Sequence, residues 1–172
     1  MKKKIIAAFL TTAMTIGSLS GVTVFAADAG TDENVEMADA SDVDGTTITF
    51  WHSMGGVNGE AIDTLVKKFN DENEYGITVD AQYQGEYDDS LNKLKSAQIG
   101  NMGADLVQVY EIGTRFMIDS GWIVPMQQMI DADSYDVSEI EPNLAAYYTI
   151  DNELYSMPFN SSTPIMYYNK DM

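Results

Sequence analysis

The spacing of apolar and polar residues changes period several times after residue 45, and each change marks a structural element. Thr46-Thr47-Ile48-Thr49-Phe50-Trp51-His52 alternates polar with apolar or aromatic side chains and is rich in β-formers, which predicts a first strand. Ser53-Met54-Gly55-Gly56 makes a loop. With Asn58 in the N-cap region, Ile62, Leu65, Val66 and Phe69 recur every three or four residues, so a helix should turn them toward the core. Gly76 ends that period, and Ile77, Val79, Ala81 and Tyr83 alternate with Thr78, Asp80 and Gln82 as a second strand. Gln84-Gly85-Glu86 turns the chain into a second amphipathic helix, with Asp88 and Asp89 at its positive end and Leu91, Leu94 and Ala97 along its apolar face.

Gly100 to Gly103 breaks this helix, and Asp105-Leu106-Val107-Gln108-Val109-Tyr110 follows as a short, mostly apolar run suited to a buried strand. A third helix is predicted to begin at Gly113-Thr114, carry Phe116, Met117 and Ile118, and stop at Gly121. The resulting βαβαβα order is that of an α/β lobe, an open, mostly parallel sheet flanked by helices. Beyond it the pattern predicts short helices near Met126 to Ile130 and near Asn143 to Thr149, and a turn at Asp151-Asn152. That turn leads to Pro158-Phe159-Asn160-Ser161-Ser162-Thr163-Pro164, a polar segment stiffened by proline at both ends, and then to the strand-like run Ile165 to Tyr168.

Before residue 46 the composition differs. Lys2, Lys3 and Lys4 precede an apolar run from Ile5, and small residues lead to Ala26-Ala27, so residues 1–26 read as a signal peptide cleaved after Ala26 or Ala27. No cysteine follows that site, so no lipid anchor is expected there, and the exported product should be periplasmic or extracellular. Residues 27–45 carry Asp28, Asp32, Glu33, Glu36, Asp39, Asp42 and Asp44 with few large apolar residues, the composition of an acidic disordered linker. Residues 46–172 are the size of one domain. The chain stops directly after a strand-like run, which suggests a fragment. A formal net charge of -18 disfavours nucleic acid and anionic membrane as partners.

In an open α/β sheet, ligands bind beyond the carboxyl ends of the strands, which directs attention to Trp51-His52-Ser53, Gly85-Glu86-Tyr87 and Tyr110-Glu111. Glu111 follows the third strand, where it either accepts from a ligand hydroxyl or caps the next helix. Tyr87 can lay its ring along a sugar or glycerol skeleton, or simply be half-buried at a helix start. His52 is the only histidine, so neither a zinc set nor a Ser-His-Asp triad can be assigned, and a packing or hydrogen-bonding role is expected. Asp131, Asp133 and Asp136 lack the glycine and terminal glutamate of a calcium loop. No cofactor or metal is expected.

Phe50-Trp51-His52-Ser53-Met54, Tyr83-Gln84-Gly85-Glu86-Tyr87, Gln108 to Thr114 and Pro158 to Asp171 stand in an order that closely resembles the extracellular solute-binding proteins of ATP-binding-cassette importers, and among these the glycerol-3-phosphate binders. The resemblance implies a two-lobed receptor that closes on its solute and delivers it to membrane permease subunits, with residues 46–172 forming the first lobe and the C-terminal lobe absent. It implies ligand contacts at Tyr87, Glu111 and Ser162, and points secondarily to Trp51, His52, Ser53, Asn160, Ser161 and Thr163. An arginine that meets the phosphate in the resembling proteins lies in a part not matched here, and Arg115 is the only arginine of this chain.

The reading that follows is a monomeric, non-enzymatic receptor for sn-glycerol-3-phosphate or glycerophosphodiesters. A receptor of the same family for a sugar or oligosaccharide is the alternative, and a secreted glycosidase using Glu86 and Glu111 as paired carboxylates is a more distant one.

Overall fold

The computed structural model describes residues 42–100, 102–162 and 164–172. The expected signal peptide, most of the expected linker and Thr163 lie outside these residues. Ten elements follow one another: β1 (Thr47–His52), α1 (Gly56–Glu72), β2 (Thr78–Tyr83), α2 (Tyr87–Gln98), β3 (Leu106–Val107), α3 (Glu111–Ser120), α4 (Met126–Asp133), α5 (Pro142–Tyr147), β4 (Thr149–Ile150) and β5 (Glu153–Leu154). Among the described residues the first three strands form a sheet of order β2-β1-β3 with every pairing parallel. The predicted α/β alternation is therefore present.

Period-two alternation explains β1. Ile48, Phe50 and His52 are buried, while Trp51 on the other face is half-buried. The core begins ahead of the expected start at Thr46: Val43 is fully buried against Ile48 and Ile77, with Phe69, Tyr75 and Val79 packed around them. Gly45 N donates to Gly76 O at 3.1 Å and fixes that entry to the sheet.

Helix α1 starts at Gly56, with Gly55 rather than Asn58 as its N-cap. Its inward face also differs from expectation, since Ile62 is buried but Leu65 is 63 % exposed. Two asparagines explain the rotation. Asn70 exchanges two bonds with the backbone of Val79 on β2, donating from Nδ2 at 2.9 Å and accepting at Oδ1 at 2.7 Å. Asn73 donates to Ile77 O at 2.8 Å and accepts from Ile77 N at 3.1 Å. Since β2 is an edge strand, these amides satisfy backbone groups that no neighbouring strand reaches, and the face they define leaves Leu65 to one side.

Strand β3 is shorter and less covered than the apolar run suggested. Only Leu106 and Val107 pair with β1, and Leu106 is 41 % exposed because β3 is the other edge of the sheet. Helix α3 begins at Glu111, before the expected Gly113, and ends at Gly121 in the left-handed region at φ 66°, as that glycine predicted. Helix α4 packs on β5 and α5 on β4. Asp151 and Asn152 both take positive φ, 53° and 70°, and form the two-residue turn of the β4–β5 hairpin. The run Ile165 to Tyr168 pairs with nothing among the described residues and is exposed throughout, so the strand expected there is not formed. Its apolar pattern satisfied only half of what a strand needs, because a partner for its backbone is also required.

Candidate functional site

Parallel pairing brings the carboxyl ends of β1, β2 and β3 to one edge of the sheet, and the segments leaving that edge carry Ser53, Tyr87 and Glu111 of the expected site. Ser53 continues β1, Tyr87 opens α2, and Gln108 to Glu111 lead from β3 into α3. Asn160 reaches the same place from the distant proline-bounded segment. A chain of hydrogen bonds joins them: Ser53 N donates to Gln108 Oε1 at 2.9 Å, Gln108 Nε2 to Asn160 Oδ1 at 2.7 Å, and Asn160 Nδ2 to the Tyr87 hydroxyl at 3.4 Å.

Tyr87 is held from its other side as well. Its ring stacks on Tyr110, centroids 5.2 Å apart and planes 9° from parallel. The Tyr110 hydroxyl donates to Asp88, and this bond raises the phenol pKa above its ordinary value. The donor therefore stays protonated and keeps the ring in place. Glu111 is exposed in the first turn of α3, where its charge meets the helix dipole, and the N-cap is Tyr110. Tyr148 packs its ring edge-on against Tyr147, and burial raises its pKa, with the charges of Tyr147, Glu111 and Tyr87 raising it further.

The remaining expected residues divide. Ser53 is 6 % exposed, and its Oγ is buried with no partner among the described residues. Trp51 donates from Nε1 to Gln82 Oε1 at 3.1 Å, so its polar tip is already occupied within the sheet. His52 is 3 % exposed among Phe50 and Tyr83, with ring centroids at 5.6 and 6.0 Å. Its Nδ1 accepts from Met54 N at 3.3 Å, and burial lowers its pKa against the opposing charge of Asp63. It packs among aromatic rings, and burial favours its neutral form. Ser161 and Ser162 are exposed. Arg115 is bound to Asp119 at 2.8 Å on the surface of α3, where the bond to that carboxylate raises its pKa.

An open groove of about 690 Å³ is lined by Gln84, Gly85, Asp89, Asn92, Lys93 and Met102, among others. Asp89, Asn92 and Lys93 lie on the side of α2 opposite Tyr87 and Leu91, and none of Ser53, Tyr87, Gln108, Glu111 or Asn160 lines the groove.

Gln108 and Tyr148 were not singled out by sequence reasoning. An amide inside an apolar run was the available signal for Gln108, since a buried side-chain amide is costly unless its hydrogen bonds are made. Nothing comparable marked Tyr148, which stands among several tyrosines.

The family described as bacterial extracellular solute-binding protein matches residues 64–172. The sn-glycerol-3-phosphate-binding periplasmic protein UgpB of Salmonella typhimurium (strain LT2) is 43 % identical over 132 residues, covering 73 % of this chain and 30 % of that protein. UgpB of Escherichia coli (strain K12) is 41 % identical over 132 residues with the same coverage. The chain thus spans less than a third of the length of these relatives. The crystal structure of the cyclic alpha-maltosyl-1,6-maltose binding protein from Arthrobacter globiformis superposes with a TM-score of 0.54 at 21 % identity, over 63 % of this chain and 27 % of that one, a likeness of fold. Among the described residues no helix is long and apolar enough to cross a membrane. With a family match that spans more than half of its residues, the chain belongs to the bacterial extracellular solute-binding proteins.

Proposed function

We propose that this chain is part of the solute-binding component of an ATP-binding-cassette importer, that it takes up sn-glycerol-3-phosphate or a glycerophosphodiester, and that it presents the solute to a membrane permease. In this reading residues 1–26 direct export, and residues 46–172 supply the first lobe of a receptor that closes on its ligand as a monomer. The relatives are named as periplasmic binding proteins, and the role is binding without catalysis.

The observation that carries the reading is the bond from Asn160 to Tyr87, which ties the proline-bounded segment to the strand-end cluster although 73 residues separate the two. Tyr87 and Glu111 then face the glycerol end, and Ser162, two residues beyond Asn160, serves the phosphate. The acidic balance of the chain opposes an anion, so local donors must outweigh it. The first turns of α2 and α3 open from that edge but already carry Asp88, Asp89 and Glu111, so the exposed hydroxyls of the proline-bounded segment are the donors left to the phosphate in this reading.

Thermal unfolding of the full protein with sn-glycerol-3-phosphate, glycerophosphocholine and maltose tests this directly, because a ligand that binds only the native state raises the midpoint. A rise with the first two alone supports the proposal. A rise with maltose alone keeps the transport role but replaces the ligand by a sugar, for which the stacked Tyr87 and Tyr110 rings offer an aromatic surface. Release of free sugar from an aryl glycoside would instead favour catalysis by Glu86 and Glu111.

A further inference from the structure

The hydrogen-bond chain at the strand ends has a direction. A backbone N–H can only donate, so Ser53 N fixes the side-chain oxygen of Gln108 as its acceptor. The Gln108 amide then turns its NH₂ outward, and the group it meets on Asn160, 2.7 Å away, must be the carbonyl oxygen. That leaves the Asn160 NH₂ to face Tyr87, whose phenol oxygen accepts. Each orientation follows from the one before it. Gln108 is 8 % exposed and held by this pair of bonds, so neither amide is free to reverse alone without leaving two like groups in contact.

A phenol that accepts from Asn160 still has its own proton. We propose that Gln108 is a positioning residue which sets Tyr87 as a hydrogen-bond donor toward the ligand, so that the solute atom meeting Tyr87 is an acceptor oxygen. The inference deepens the reading of the site proposed above and rests on it for the identity of the solute. It restricts the solute class: a ligand whose corresponding group can only donate, such as an ammonium in place of a hydroxyl or phosphate oxygen, is disfavoured because two donors would oppose one another. The stack on Tyr110 contributes by holding the ring that carries the hydroxyl.

Gln108→Glu reverses the chain with little change in size. Both carboxylate oxygens accept, so one keeps the Ser53 N–H and the other draws the Asn160 NH₂, which presents the Asn160 oxygen to Tyr87 and turns the phenol proton inward. Calorimetric titration of the full protein with sn-glycerol-3-phosphate should find Tyr87→Phe and Gln108→Glu each about tenfold weaker than wild type, with the double variant no weaker than either alone. Additive losses, or an unchanged affinity in Gln108→Glu, overturn the proposal. A ligand-free readout separates it from the glycerol-phosphate reading: the NMR shift of the Tyr87 ring carbon bearing the hydroxyl reports whether the phenol accepts or donates. That shift should move in Gln108→Glu, and also in Asn160→Asp, whose carboxylate accepts from both neighbours and covers the case in which the buried carboxylate of Gln108→Glu prevents folding. Failure of wild type to bind sn-glycerol-3-phosphate would remove the solute assignment only. An unmoved Tyr87 shift in the folded variants would remove the relay.

Discussion

Tyr87 lies flat against Tyr110, ring centroids 5.2 Å apart and planes within 9° of parallel, while the Tyr110 hydroxyl is held by Asp88 on the first turn of α2. One ring therefore supports another that is expected to meet the solute. An aromatic pair contributes about 0.5–1.5 kcal/mol beyond the area it buries, so Tyr110→Ala should weaken solute binding by up to roughly tenfold without touching the ligand. Tyr110→Phe keeps the stack and loses only the bond to Asp88. Its affinity, measured by calorimetry, should stay within about threefold of wild type; equal losses in the two variants would show that the bond, and not the stack, positions Tyr87.

A second prediction concerns pH. His52 is buried with a pKa below its ordinary value, while in the unfolded chain it returns to about 6.5. Between those two values the unfolded state binds more protons, so stability rises with pH across the window and is lost as pH falls below about 6.5. The loss is complete once pH lies under the folded value. Protonation also removes the Nδ1 acceptor used by Met54 N, at the entry to α1. Carboxylates titrate lower still, so the test is a difference. Urea unfolding at about pH 7.5 and about pH 5.5 should show a smaller drop in His52→Gln than in wild type, and parallel drops would refute it.

Close packing at the start of α3 gives a third. Gly113 is buried, and a Cβ placed there would stand 2.5 Å from Val109 Cγ1. Gly113→Ala should destabilise the protein by about 1–3 kcal/mol through displacement of the turn that carries Glu111. Since the obstacle is one methyl group, Val109→Ala should recover much of the loss in the double variant. A Gly113→Ala cost that Val109→Ala leaves unchanged, read from denaturant midpoints, would place the strain elsewhere.

Where the sequence was readable, a local pattern and its tertiary setting agreed. Ile48, Phe50 and His52 alternate in the chain and turn inward in the sheet, and the left-handed Asp151-Asn152 pair makes the turn those residue types favour. Leu65 and Ile165 to Tyr168 show the opposite case. The period of α1 admits Leu65 on the apolar stripe, but the Asn70 and Asn73 amides, bonded to Val79 of β2 and to Ile77 just before it, choose a slightly different face. An apolar run becomes a strand only with a partner, and no spacing rule supplies one. In the site, Tyr87 and Asn160 were nameable separately because their types suit a polar ligand. Their bond was not, because it depends on Gln108, whose two hydrogen bonds exist only once β1, β3 and the proline-bounded segment have met.

The last prediction separates two buried hydroxyls. Ser53 Oγ and Ser90 Oγ both lie out of solvent with no partner among the described residues. An unsatisfied buried hydroxyl costs about 1–3 kcal/mol, so Ser53→Ala and Ser90→Ala should each raise stability, by about 1 kcal/mol after the small packing change. Binding should tell them apart. Ser53 follows β1 at the sheet edge where Gln108, Asn160 and Tyr87 converge, and its backbone N–H, which begins that chain of bonds, survives substitution by alanine. Ser90 sits within α2, on a turn that carries no residue of the expected site beyond Tyr87. If the solute completes the hydrogen bonding of Ser53 Oγ, Ser53→Ala gains stability and loses affinity together, whereas Ser90→Ala gains stability alone. Thermal midpoints with and without sn-glycerol-3-phosphate measure both at once: the ligand-induced rise should shrink in Ser53→Ala and stay at its wild-type size in Ser90→Ala. An equal rise in both would mean that the Ser53 hydroxyl is left unpaired by the fold and plays no part in holding the solute.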